Sequence, residues 1–152
     1  MNDTVVARPC WTILMEKAED KIALIQNELV QTRARLEGLR KSEQRVQKMY
    51  EEYLHNLNTA NKQSLGMRET MNQRQFMSQL MSLMARVQTD IQYTENAIVG
   101  VKERLVSAER ERIKMKTLAD QNAQAVKQAE NKKDQRSMDA LGVMQFNLRP
   151  QA

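Results

Sequence analysis

The chain has 152 residues, of which 4% are aromatic and 28% charged, with four glycines and two prolines, a composition that excludes an ordinary aromatic-rich globular core. Gln, Ala, Met, Leu, Glu, Lys and Arg dominate, and these lose little rotamer freedom in a helix, so nearly all of the chain is expected to be helical. The net charge of +5 comes from 24 basic and 19 acidic residues that are interspersed rather than gathered into an arm, which favours a solvated helix surface or an acidic protein partner over nucleic acid.

Cys10 and His55 are the only residues of their kinds, so neither an internal disulfide nor a Cys/His metal cluster is expected, as suits a reduced, cytoplasmic chain. The longest apolar runs are only a few residues, as in the Ile22 to Ile25 stretch "IALI", far below the roughly 20 residues of a membrane span, and no signal-peptide core is expected at the amino terminus.

From Trp11 the apolar residues recur at alternating steps of four and three: Trp11, Met15, Ala18, Ile22, Ile25, Leu29, Thr32, Leu36, Leu39, Glu43, Val46, Tyr50, Tyr53, Leu57. A seven-residue repeat sustained this far holds one seam against a partner helix and predicts a left-handed coiled coil over about residues 9–58. Pro9 suits the first turn, where its missing N–H costs nothing.

The next segment, "HNLNTANKQSLGMRETMN" (55–72), interrupts the pattern with Asn56, Asn58, Thr59, Asn61, Ser64 and Gly66, which compete for backbone hydrogen bonds or tolerate left-handed geometry and so mark a turn over about 59–70. Thr70 and Gln73 have capping-box spacing and mark the expected start of a second helix.

The second seam reads Phe76, Leu80, Leu83, Val87, Ile91, Thr94, Ile98, Val101, Leu105, Ala108, Arg112, Met115, Ala119, Asn122, Val126, Ala129. Its two successive steps of four, from Leu83 to Val87 to Ile91, predict an eleven-residue stutter that locally unwinds the supercoil. The helix is expected over about 71–140, with a flexible tail at 141–152. Two helices joined by a short connection pack as antiparallel neighbours. The expected fold is therefore all-α, a long antiparallel two-helix coiled-coil hairpin forming a single domain over 1–152.

At 1.5 Å per residue the first helix is on the order of 70 Å long. With the bend near residue 65, Trp11 falls opposite roughly residue 119, and about 25 residues of the second helix extend past the main overlap beside residues 1–10. Two helices build almost no enclosed concave surface. No phosphate-cradling glycine loop, Ser/His/Asp or Cys/His set, or metal-ligand spacing is present, so neither enzymatic activity nor a cofactor or small-molecule substrate is expected.

Near the bend there is more apolar surface than one seam needs. Beside Phe76, Leu80, Leu83 and Val87 runs a second row, Met77, Met81 and Met84, preceded by Met67 and Met71, and helix 1 carries Val46, Met49, Tyr50, Tyr53, Leu54 and Leu57. Left-over apolar area marks a partner surface, and Met suits an adaptable one. The alternatives are a core that widens near the turn and a self-association contact. Rows one residue apart are separated by only about 100° around a helix, so the sequence leaves open which faces inward.

Three stretches, "EYLHNLN", "RQFMSQL" and "ENKKDQRSMDAL", resemble in order and spacing those of the flagellar export protein FliJ family. The resemblance covers most of the chain. It implies a small cytoplasmic component of the bacterial flagellar type III export apparatus, peripheral at the inner membrane, serving flagellum assembly and motility. It also implies a stalk-like antiparallel coiled coil. The end bearing both termini enters the hexameric export ATPase ring, and another surface meets the cytoplasmic domain of the transmembrane export gate. Export chaperones are further implied partners, with membrane contact only through proteins.

Carried over by position, the implied gate patch, an exposed apolar strip, falls on Ser42, Val46, Met49, Tyr53, Phe76, Leu80, Leu83 and Val87. Tyr53, Phe76 and Leu80 match in kind, Val46 is a mild change, Met49 replaces an aromatic, Leu83 is larger, and Ser42 and Val87 have lost polar groups. A Phe76 row facing outward requires the Met77/Met84 row to help fill the seam, with the stutter as the place where the inward row changes. At the other end the implied ATPase contact falls on Trp11 with Glu130, Asn131, Asp134, Gln135, Met138 and Asp139, Ala140 standing where a second acid is usual. The alternative for these positions is a polar continuation of helix 2. Alternative functions are the equivalent stalk of a virulence type III secretion system and a basic coiled-coil adaptor for nucleic acid. Steep loss of affinity with salt would mark the latter.

Overall fold

A computed structural model describes residues 9–61 and 66–149. Two helices, α1 (Pro9–Asn61) and α2 (Met67–Asn147), account for these residues except Gly66, Leu148 and Arg149. They pack against each other as a helical hairpin. The chain divides into two compact units, one spanning Leu24–Leu105 and the other made of the chain before and after it.

Within Leu24–Leu105 the helices are antiparallel, as three side-chain pairs show. Arg104 Nη2 donates to Glu28 Oε1 at 2.6 Å, Arg40 Nη2 to Glu95 Oε1 at 3.1 Å, and Gln88 Nε2 to Glu43 Oε1 at 3.3 Å. On α1, Ile25, Leu29, Leu36 and Val46 are buried, and the other seam residues, from Thr32 to Leu57, are half-buried.

On α2 the buried residues are Met77, Leu80, Val87, Thr94, Ile98 and Val101, with Thr70, Gln73, Met84, Ile91 and Leu105 half-buried beside them. These positions step three and four alternately from Thr70 onward without a break. The expected stutter is therefore absent: Met84, not Leu83, occupies the seam, and Leu83 stands 43% exposed. An unbranched, polarisable Met fills the gap there, so the seven-residue period, which keeps one face inward, is preserved.

Polar seam positions find partners on their own helix or across the seam. Thr94, 2% exposed, donates its hydroxyl to the Asp90 carbonyl of its own helix, and Glu43 accepts from Gln88. Gln73 is the exception, since its buried Oε1 has no hydrogen-bond partner among the described residues. An unsatisfied buried acceptor costs its desolvation. Gln73→Leu is therefore expected to stabilise the hairpin by about 1 kcal/mol, read as a higher urea midpoint at unchanged slope; a lower midpoint would show that the amide is satisfied in solution.

In the other unit Ala18, Ile22 and Ala108 are buried, while Trp11, Met15, Arg112, Met115, Ala119, Asn122, Val126 and Ala129 are half-buried. Lys21 and Glu111 pair across the helices at 3.5 Å, which puts Trp11 level with about Gln121. From Glu130 to Arg149 every described residue is exposed. Continued at its spacing, the seam row falls on Lys133 and Arg136, so the apolar seam ends at Ala129.

The element boundaries differ from expectation at three places. α1 runs to Asn61 rather than 58, and residues 62–65 of the expected bend, including Ser64, lie outside the described residues. α2 begins at Met67 rather than 71. Gly66 supplies the carbonyl that accepts from the Thr70 amide at 3.2 Å and from its hydroxyl at 3.3 Å, so Thr70 lies inside the first turn and Gln73 turns into the seam instead of closing a capping box. Glu69 complements the positive end of the helix dipole. Of the expected flexible tail at 141–152, residues 141–147 are helical, with Gly142 the weakest helix former among them, and residues 150–152 lie outside the described residues.

Candidate partner-binding surfaces

In Leu24–Leu105 the Glu28–Arg104 pair marks one edge of the antiparallel seam. Three heptads toward the bend on each helix, the same edge carries Met49 and Leu83, and two heptads along it carries Ser42 and Asp90. The edge thus changes from an ion pair to exposed apolar side chains, Met49 being 44% exposed. Next to them Tyr53 and Phe76, both half-buried, bring their rings together at 4.4 Å between centroids with a 33° tilt.

The eight residues carried over as an exposed gate strip therefore divide. Met49 and Leu83 are exposed, Ser42, Tyr53 and Phe76 half-buried, and Val46, Leu80 and Val87 buried, Leu80 at 4% exposure. For these last three an exposed strip is the wrong description. They occupy seam positions, and their side chains are consumed by the pairing of the helices.

The opposite edge is marked by Arg40 and Glu95. Two heptads toward the bend it carries Leu54 and Met81, both exposed. The pair escaped the carried-over patch because surplus apolar residues on a helix do not announce which side of a seam they flank.

In the unit with the chain ends, Trp11 is half-buried on α1, and Glu130, Asn131, Asp134, Gln135, Met138 and Asp139 are all exposed on α2. They do not form one cluster. Glu130 lies about 14 Å beyond the level of Trp11 and Asp139 about 27 Å beyond it, at 1.5 Å per residue. Past them Leu141, Val143, Met144, Phe146 and Leu148 are exposed as well. They lie within the expected tail at 141–152, outside the carried-over surface, and the run of apolar residues in "LGVMQFNL" is the signal that finds them.

Charge is arranged without enclosure. The short bond from Arg104 holds the Glu28 carboxyl below the usual range, and Glu28 in turn raises Arg104. Both side chains are about half exposed, so solvent screens the pair. A carboxylate whose folded value is depressed contributes fully above its unfolded value and loses that contribution as pH falls through the folded one. Glu28→Gln is expected to lower the melting midpoint slightly at neutral pH and to converge with the parent below the ordinary Glu range. A constant gap at all pH values would assign the effect to packing.

Among the described residues no three His, Cys, Asp or Glu side chains are grouped to hold a metal ion, and no helix is long and apolar enough to cross a membrane. What the geometry offers instead is binding surface, placing the molecule among coiled-coil hairpins with partly uncovered apolar edges. A family model described as "Flagellar FliJ protein" matches residues 13–151, and the chain belongs to that family. It is thereby a component related to flagellar protein export. No curated relative and no solved structure matches it significantly.

Proposed function

We propose that the chain is a non-catalytic stalk of the flagellar export apparatus, working at the cytoplasmic face of the inner membrane. It binds the hexameric export ATPase through α2 beyond the seam, together with the turn around Trp11. It binds the cytoplasmic domain of the export gate through the edge made by Met49, Leu83, Tyr53 and Phe76. Export chaperones are further partners. The observation that carries this reading is the segment 130–149, helical as far as Asn147, with all its described residues exposed and apolar side chains near its end. A lone helix is about 10–12 Å across with its side chains, a suitable thickness for entering the central hole of a ring. Its exposed apolar groups are left uncovered by the other described residues and gain most from burial in another protein.

The test is co-purification of the full chain with the export ATPase hexamer and, separately, with the gate's cytoplasmic domain. Capture of both is expected. No capture by the ring, together with normal swimming of a strain lacking the chain, would remove the proposal.

A further inference from the structure

The edge marked by Arg40 and Glu95 has a second feature, on the side of that pair away from the bend. One heptad along, the register sets Arg33 opposite Lys102, two charges of the same sign where an antiparallel coil ordinarily places an attractive pair. The nearby acids are engaged elsewhere: Glu95 pairs with Arg40 at 3.1 Å, and Glu37, one turn from Arg33, pairs with Lys41 at 3.5 Å. Lys102 has no acidic residue three or four positions away in either direction.

Arg33, Arg40 and Lys102 line an open groove together with Leu36 and Ile98 and the two paired acids Glu37 and Glu95, which leaves the charges of Arg33 and Lys102 in excess. One turn from Arg33 stands Val30, and one turn from Lys102 stands Val99, 63% and 55% exposed. The surface therefore has a basic centre with an apolar residue on each flank. We infer that it docks an acidic amphipathic helix of a protein partner, laid along the groove with carboxylates between Arg33 and Lys102 and apolar side chains against Val30 and Val99. Charge complementarity selects the acidic occupant. The valines favour a polypeptide over a nucleic acid, which gains nothing from them.

The site shares no residue with the proposed ATPase and gate contacts, so the two readings fail separately. The probe is a fluorescein-labelled peptide of about 20 residues, roughly 30 Å of helix, with Glu and Leu on one face, titrated into the full chain and followed by anisotropy. A peptide with Lys for Glu and a single-stranded oligonucleotide are the comparisons. The acidic peptide is expected to bind, with about tenfold weaker affinity for Arg33→Glu or Lys102→Glu and a severalfold loss in the Val30→Ser/Val99→Ser double variant. Lys102→Glu alone is expected to melt higher than the parent, because it turns a like-charge pair into an attractive one, so its lost binding is not lost folding. Equal peptide affinity for parent and Lys102→Glu would overturn the inference. So would preferential binding of the oligonucleotide, insensitive to the valines, or a parent dimer in sedimentation that Lys102→Glu dissociates.

Discussion

Leu83→Asp, alone or with Met49→Asp, is expected to abolish capture of the gate's cytoplasmic domain while shifting hairpin stability by only about 0.5 kcal/mol. Both side chains stand on the edge of the seam, exposed to solvent, so a carboxylate there stays hydrated in the free protein. It becomes costly only when a partner tries to cover it. Leu80→Asp and Val87→Asp are expected to lose capture and folding together, by about 3–4 kcal/mol, because each places a charge inside the seam. Paired measurement of urea midpoint and gate capture separates the two classes. If Leu80→Asp folds normally and loses only capture, the inward row has been assigned wrongly.

Truncation after Ala129 is the second large effect. Every described residue removed is exposed, and the seam row ends at Ala129, so the remaining chain is expected to keep the parent's melting midpoint within a few degrees. Capture of the export ATPase ring is expected to disappear, because the bare helix with Met138, Leu141, Val143, Met144, Phe146 and Leu148 goes with the segment. A truncated chain that still captures the ring would transfer the contact to Trp11 and its surroundings. A large fall in midpoint would mean that 130–149 is covered in solution, for example by a second copy.

The fold was legible because period is a one-dimensional property. All fourteen predicted seam positions of α1 are buried or half-buried, Val46 and Glu43 alike, since seven residues return the helix to nearly the same face whatever occupies the individual position. On α2 the period was readable everywhere except beside the bend. There Leu83 is the more apolar of the neighbours Leu83 and Met84, and a row drawn through it implies a stutter that the helix does not have. Uninterrupted spacing outweighs the greater apolar character of one residue, because a displaced row would turn the following seam residues away from α1.

The candidate surfaces were less legible. Family resemblance brought Val46, Leu80 and Val87 into one strip with Met49 and Leu83, yet three of these lie in the seam and two beside it. The distinction depends on rotations of about 100° or less between neighbouring rows, which a list of positions does not encode. Arg33 and Lys102 are 69 positions apart in the sequence and come to line one groove only through the register of the two helices, which the Arg40–Glu95 pair marks.

By itself the sequence determined that this chain is helical, that its two halves pair along sevenfold seams, and that it carries more apolar surface near the bend than one seam consumes. Those properties depend on residue type and spacing along one helix at a time. Only the tertiary structure decided which row faces inward, which apolar residues remain for a partner, and which charges confront one another across the edges. Each of these depends on the relative rotation and register of two helices, set by the joint fit of side chains from both.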